Sequence, residues 1–172
     1  MPLAISVVGR SHSGKTTILE RLIGELKRRG YHLAAIKHSS SDLDLDHAGK
    51  DSWRLAKAGS DTVVVSSPRQ VGLFKAVERE VAVGELLKLA GDDFDIILVE
   101  GFKESDLPKI EVHRKEVGGL LFSPDELLAV VSEEPLDIAV PRFSPDEVES
   151  LADFVEQKSR AWREAGEGCP CG

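Results

Sequence analysis

The chain has 172 residues, 41% hydrophobic and 30% charged, a composition that suits one globular domain and excludes a disordered or collagen-like chain. Thirty acidic against 22 basic side chains give a formal charge of −8, which excludes a broad electrostatic attraction to nucleic acid or anionic lipid. The apolar runs are shorter than a membrane span, and the start "MPLAISVVG" has neither a basic n-region nor a small-residue cleavage site, so a cytoplasmic location without membrane contact is expected.

In chain order, "LAISVV" (3–8) predicts a strand buried on both faces, stopped by Gly9. Ile18, Leu19, Leu22, Ile23 and Leu26 recur at helical spacing from Lys15, with a basic last turn and Gly30 as the stop. "HLAAIKH" (32–38) predicts a second strand, so the chain opens as a strand–helix–strand unit with parallel strands. The acidic stretch 39–51 is too long for an ordinary connection of about 2–6 residues. "SWRLAKAG" predicts a short helix, "DTVVVSS" (61–67) a strand, "RQVGLFKAV" a further strand at an edge, and residues 78–91 a helix weakened by Gly84.

"FDIILVEG" (94–101) is the most apolar strand, whereas "KIEVHR" (109–114) alternates as a half-buried strand would. Two "SPDE" segments, 123–126 and 144–147, carry a capping-box pattern. The first starts a turn before the strand "LLAVVS" (127–132), and the second opens a helix with Val148, Leu151, Ala152 and Val155 on its apolar face. The expected organisation is a single nucleotide-binding domain over 1–160 and a frayed tail over 161–172. Its fold class is α/β, a mostly parallel sheet covered by helices on both faces, with additional edge strands.

Ligands of such sheets bind at the carboxyl ends of the strands. Gly9-Arg10-Ser11-His12-Ser13-Gly14-Lys15-Thr16 fits G-x-x-x-x-G-K-[ST] and lies between a predicted strand and helix, as a phosphate loop must. The glycines let the backbone wrap phosphate, Lys15 reaches its outer oxygens, and the Thr16 hydroxyl suits Mg²⁺; Thr17 completes the binding segment. A magnesium nucleotide site also needs a carboxylate on a neighbouring strand, and Glu100, at the carboxyl end of "DIILVE", fits better than Asp95 at its start. Lys15 and Glu100 are therefore the candidate catalytic groups, and Thr16 and Glu100 the candidate metal ligands. Lys103 could add a charge contact.

Asp42, Asp44 and Asp46 alternate, but an EF-hand count puts His47 at the glycine position and Trp53 at the terminal glutamate, which rules out that loop. Two readings stay open: a solvated acidic loop, or a switch loop whose Asp44 meets magnesium or the attacking water as a third catalytic group. The histidines lack zinc-site spacing, and Cys169 and Cys171 are half a soft-metal site at most.

Together the phosphate loop, "IKHSSSDLDLDHAGKDSWRLAKAG", "DIILVEGFK", "PKIEVHR" and "LAVVSEEPLD" resemble the molybdopterin-guanine dinucleotide biosynthesis adapter family, MobB, over nearly the whole chain. The resemblance implies a P-loop nucleoside triphosphate hydrolase fold, GTP as ligand, Mg²⁺, slow GTP hydrolysis and a homodimer. It implies a MobA-type guanylyltransferase as partner, and leaves open whether molybdopterin itself is touched. It carries Gly9 to Thr17 over as the nucleotide loop, Glu100 as the second nucleotide motif, and His38, Asp44, Lys50 and Asp51 as motif positions. The chain departs from the family where it has "SSS" and Ala48 in place of further histidines and a proline, and in its tail "GEGCPCG". It has no N-K-x-D guanine-reading motif, so GTP rests on the resemblance; Ser132, Glu133 and Pro135 are base-contact candidates by position alone. The alternative is an ATP-dependent small-molecule kinase or synthase, which would need an arginine-bearing lid that Arg69, Arg79, Arg114 and Arg142 do not form in sequence.

Overall fold

A computed structural model describes residues 2–39 and 49–166. Two compact units appear, one of residues 1–38 and 83–172 and one of residues 39–82. The larger holds a six-stranded sheet built from β1 (Leu3–Val8), β2 (Leu33–Lys37), β5 (Ile96–Glu100), β6 (Lys109–Val112), β7 (Leu127–Val131) and β8 (Arg142–Phe143). Its order is β2-β5-β1-β6-β7-β8, and every pairing is parallel. The strand–helix–strand opening is present, with β5 inserted between β1 and β2.

The continuous apolar runs are explained by a sheet covered on both sides. Leu3, Ile5 and Val7 of β1, with Ile96 and Leu98 of β5, pack against helix α1 (Lys15–Arg28) and helix α4 (Val148–Ala165). Ala4, Ile97 and Val99, one residue out of phase, pack on the opposite face with Leu87 of helix α3 (Val83–Ala90). Alternation along each strand thus feeds two cores. In α1, Ile18, Leu19, Leu22 and Leu26 are buried as their spacing predicts, and Gly30 stops the helix at φ 91°. Arg29 ties α1 to α4 through Asp153 Oδ1 at 2.6 Å and Glu156 Oε2 at 2.8 Å, while also taking Glu25 Oε1 at 2.7 Å.

Several expectations are corrected. β6 is buried on both faces, although its sequence alternates: it lies between β1 and β7, the Lys109 ammonium donates to the Ser105 and Leu107 carbonyls, and Glu111 accepts two backbone N–H groups. The second "SPDE" forms a turn and not the first turn of α4. Glu147 Oε2 accepts from Ser144 N at 2.6 Å, and the helix begins only at Val148. The first does form the capping box, ahead of β7. Helix α4 continues to Ala165 with Trp162 packed on the core, so residues 161–165 are helical and not a frayed tail. α3 occupies only residues 83–90 of the helical stretch foreseen over 78–91.

The smaller unit contains helix α2 (Asp51–Lys57) and an antiparallel hairpin of β3 (Thr62–Ser66) and β4 (Val71–Lys75). The strand foreseen in "RQVGLFKAV" is therefore half of a separate two-stranded sheet and not an edge of the main one. Val64, Val65, Val71 and Leu73 of this hairpin are exposed.

Candidate functional site

β1 ends at the sheet's switch point, between β5 and β6, and passes directly into the glycine-rich turn. Gly9 has φ 147°, and a Cβ there would lie 2.4 Å from the Val112 carbonyl oxygen, so only glycine lets the chain turn this close to β6. His12 and Gly14 follow with φ of 63° and 93°, and Gly14 precedes the first residue of α1. This is the curled backbone that directs N–H groups and a helix N-terminus at an anion.

The chemistry-bearing side chains gather on it. Lys15 Nζ donates to the carbonyls of Arg10 at 2.8 Å and Gly9 at 3.2 Å. Burial lowers the Lys15 pKa, Glu100 opposes this, and the neighbouring Lys103 and Lys37 add to it. Thr16 Oγ1 donates to Glu100 Oε2 at 3.0 Å, joining the start of α1 to the end of β5, and Lys37 Nζ reaches Glu100 Oε1 at 3.2 Å. Arg10 turns away, its Nε donating to the Gly119 carbonyl at 3.0 Å. Ser11, His12 and Thr17 are exposed; Ser13 is buried, and its hydroxyl has no protein partner among the described residues.

The Thr16–Glu100 pair suits a hard divalent cation. Gly101 lets the chain leave β5 beside His38, where a Cβ would meet His38 Cβ at 3.1 Å. His38 lies against Phe102 with ring centroids 4.6 Å apart. Asp95 sits at the other end of β5, holding His32 N and Arg163, each at 2.8 Å, and is a structural residue as its position suggests. Asp44 lies outside the described residues, as do Cys169 and Cys171; Lys50 and Asp51 belong to the smaller unit.

Beside the phosphate loop is a cleft of about 280 Å³. One wall is Ser13, Gly14 and Thr17; the other is His113 and Arg114, after β6, with Glu133 and Glu134, after β7. Sequence reasoning named Ser132, Glu133 and Pro135 for this region. Ser132 is fully buried, and Pro135 does not line the cleft. It missed Glu134, held by its near neighbour Ser132, and His113, which meets Ser132 from a separate segment; Lys37, at the end of β2, reaches Glu100 only because β2 pairs with β5.

The chain is similar to known proteins over most of its length. Residues 4–133 match the family model described as MobB, molybdopterin guanine dinucleotide synthesis protein B. A molybdopterin-guanine dinucleotide biosynthesis adapter protein of Haemophilus influenzae is 37% identical, the match covering 88% of this chain and 86% of that protein. One of Escherichia coli is 38% identical, over 84% of this chain and 86% of the relative. Among solved structures, a molybdopterin-guanine biosynthesis protein B superposes with a TM-score of 0.71 at 29% identity, covering 90% of this chain and 99% of that one.

Proposed function

Given that the chain belongs to the MobB family of molybdopterin guanine dinucleotide synthesis proteins, we propose that it is a GTP-binding adapter acting with a MobA-type guanylyltransferase: its relatives are named as adapter proteins of that biosynthesis, and the chain carries a phosphate loop. The observation that carries this reading is the Thr16–Glu100 contact beside Lys15, an arrangement suited to a magnesium-bound nucleoside triphosphate. In it, Gly9 to Thr17 hold the phosphates, Lys15 reaches the outer ones, and Thr16 and Glu100 serve the metal. Magnesium supplies charge neutralisation on the phosphate oxygens.

Hydrolysis is slow in this reading. Lys15, Lys37 and Lys103 put positive charge near the phosphates, while Arg10 is engaged by the Gly119 carbonyl and offers no fork to the transferring phosphoryl. A partner could complete the site. The exposed apolar side chains of the β3–β4 hairpin support a homodimer, because a two-stranded sheet is marginal alone and its edges favour pairing.

Calorimetric titration of GTP, GDP and ATP, with and without magnesium, tests the ligand. Lys15→Ala should abolish GTP binding and Thr16→Ala should weaken binding mainly when magnesium is present; unchanged affinity in Lys15→Ala refutes the site. Affinity capture of the guanylyltransferase with and without GTP tests the adapter role, and no association in either state would count against it.

A further inference from the structure

The cleft beside the phosphate loop has the shape and chemistry of a base pocket, an assignment that rests on the nucleotide reading above. Gly14 and Thr17 are shared between loop and cleft, so a nucleotide held by its phosphates at the loop has its base within the cleft's reach. A volume of about 280 Å³ lies just under the range of whole-ligand clefts, which starts at roughly 300 Å³, and fits one fused-ring base. Ser13, 5% exposed, lines the same cleft with its hydroxyl unpartnered by protein among the described residues.

One wall is a built acceptor. Ser132 Oγ donates to Glu134 Oε2 at 3.1 Å and accepts from Glu134 N at 3.2 Å. His113 Nδ1 stands 3.1 Å from the same hydroxyl, and with that hydroxyl's hydrogen committed to Glu134, Nδ1 carries the hydrogen between them. Burial by itself pushes the Glu134 carboxyl up, but the Ser132 hydroxyl and the backbone N–H groups of Glu134 and Lys115 bring it below its ordinary value. Glu134 is thus a fixed, ionised carboxylate that only accepts. Glu133 is exposed, and no hydrogen bond of its side chain holds it among those described for this loop.

A fixed carboxylate discriminates between purines. Guanine offers two parallel donors, N1–H and N2–H₂, to its two oxygens, whereas adenine presents the N1 lone pair there and is repelled. We infer that Glu134, held by Ser132 and His113, reads the N1–H and N2–H₂ edge of guanine in this cleft and sets the preference for GTP over ATP. The chain thereby achieves without N-K-x-D what that motif's aspartate does, using a glutamate after β7.

The test is equilibrium titration of the full chain with GTP, ITP, XTP, ATP and inorganic tripolyphosphate, comparing wild type with Glu134→Gln. Wild type should prefer GTP to ITP, which lacks the N2 amino group, and both to ATP. E134Q should lose about ten- to a hundredfold for GTP, the worth of a hydrogen bond to a charged group, and should gain XTP, whose C2 carbonyl pairs with the new amide N–H. Its tripolyphosphate affinity should equal wild type, which also reports that the loop is folded. An unchanged ratio of GTP to ATP in E134Q, with tripolyphosphate binding intact, overturns the role of Glu134 and leaves the nucleotide reading standing. Failure of wild type to bind both GTP and tripolyphosphate overturns both.

Discussion

Gly9→Ala should be among the most destabilising single-methyl additions in this chain. The new Cβ would lie 2.4 Å from the Val112 carbonyl oxygen and 2.8 Å from Ser13 Oγ, and real Cβ atoms do not approach other atoms within 3.0 Å. The loop must therefore recede from β6 by at least 0.6 Å, the gap between 3.0 and 2.4 Å. β6 cannot yield in its place, being fixed between β1 and β7. Overpacking of this kind costs about 1–3 kcal/mol, and holding an alanine at positive φ costs about 1–3 kcal/mol more, so the loss should be about 4 kcal/mol. With a urea slope of about 2 kcal/mol/M, the unfolding midpoint falls by about 2 M. Gly14→Ala is the control: φ is also positive, at 93°, but nothing lies within 4 Å of the new Cβ, so only the backbone cost of about 1–2 kcal/mol remains. Urea denaturation followed by circular dichroism measures both. Equal losses would refute the claim that close approach to Val112, and not φ alone, reserves position 9 for glycine.

Leu22→Ala, at a position 1% exposed between α1 and the sheet, should cost about 2–5 kcal/mol in the same assay. Asp95 is held below its ordinary carboxyl value of 3.8, chiefly by the His32 N–H with Arg163 assisting, so its contribution is complete above that value and is lost as pH falls through its lower folded value. Asp95→Asn should therefore be less stable than wild type at neutral pH, with a gap that closes in acid, as followed by thermal melts across pH. Glu111 has the opposite sign. Burial raises its carboxyl above the ordinary 4.5 despite the Leu121 and Phe122 N–H groups, so the folded chain keeps that proton longer and the contribution of Glu111 falls as pH rises through the raised value. The stability difference between Glu111→Gln and wild type should shift in favour of the variant between about pH 4 and about pH 8, measured by urea denaturation.

The strands and the phosphate loop were legible because their information is local. A run such as "DIILVE" needs two apolar faces, and G-x-x-x-x-G-K-[ST] specifies its own turn. β6 misled for a physical reason: Lys109 and Glu111 look like a solvent face, yet their charges are met by backbone groups at 105, 107, 121 and 122, contacts that an apolar–polar pattern does not encode. Pairing across the sheet was equally hidden. Nothing in "HLAAIKH" says that β2 joins β5 and not β1, although that insertion is what brings Lys37 to Glu100. The helix start at Val148 was missed because Ser144 and Glu147 satisfy each other in a turn, so the capping pattern does not extend into α4.

β6 connects the two halves of the candidate site. Its Val112 carbonyl lies under Gly9, and Glu111, one residue earlier, accepts Leu121 N at 2.8 Å and Phe122 N at 3.2 Å. That grip anchors the segment whose Gly119 carbonyl takes Arg10 of the phosphate loop. Gly118 adds to the closeness, since a Cβ there would stand 3.0 Å from Arg10 Nε. One residue after Val112, His113 turns into the cleft and meets Ser132. Val112 therefore backs the phosphate loop at Gly9, and the next residue, His113, lines the cleft beside it. A buried glutamate on a central strand would be a liability if it only filled space. Here its two accepted N–H groups fix the segment that receives Arg10 of the glycine-rich turn.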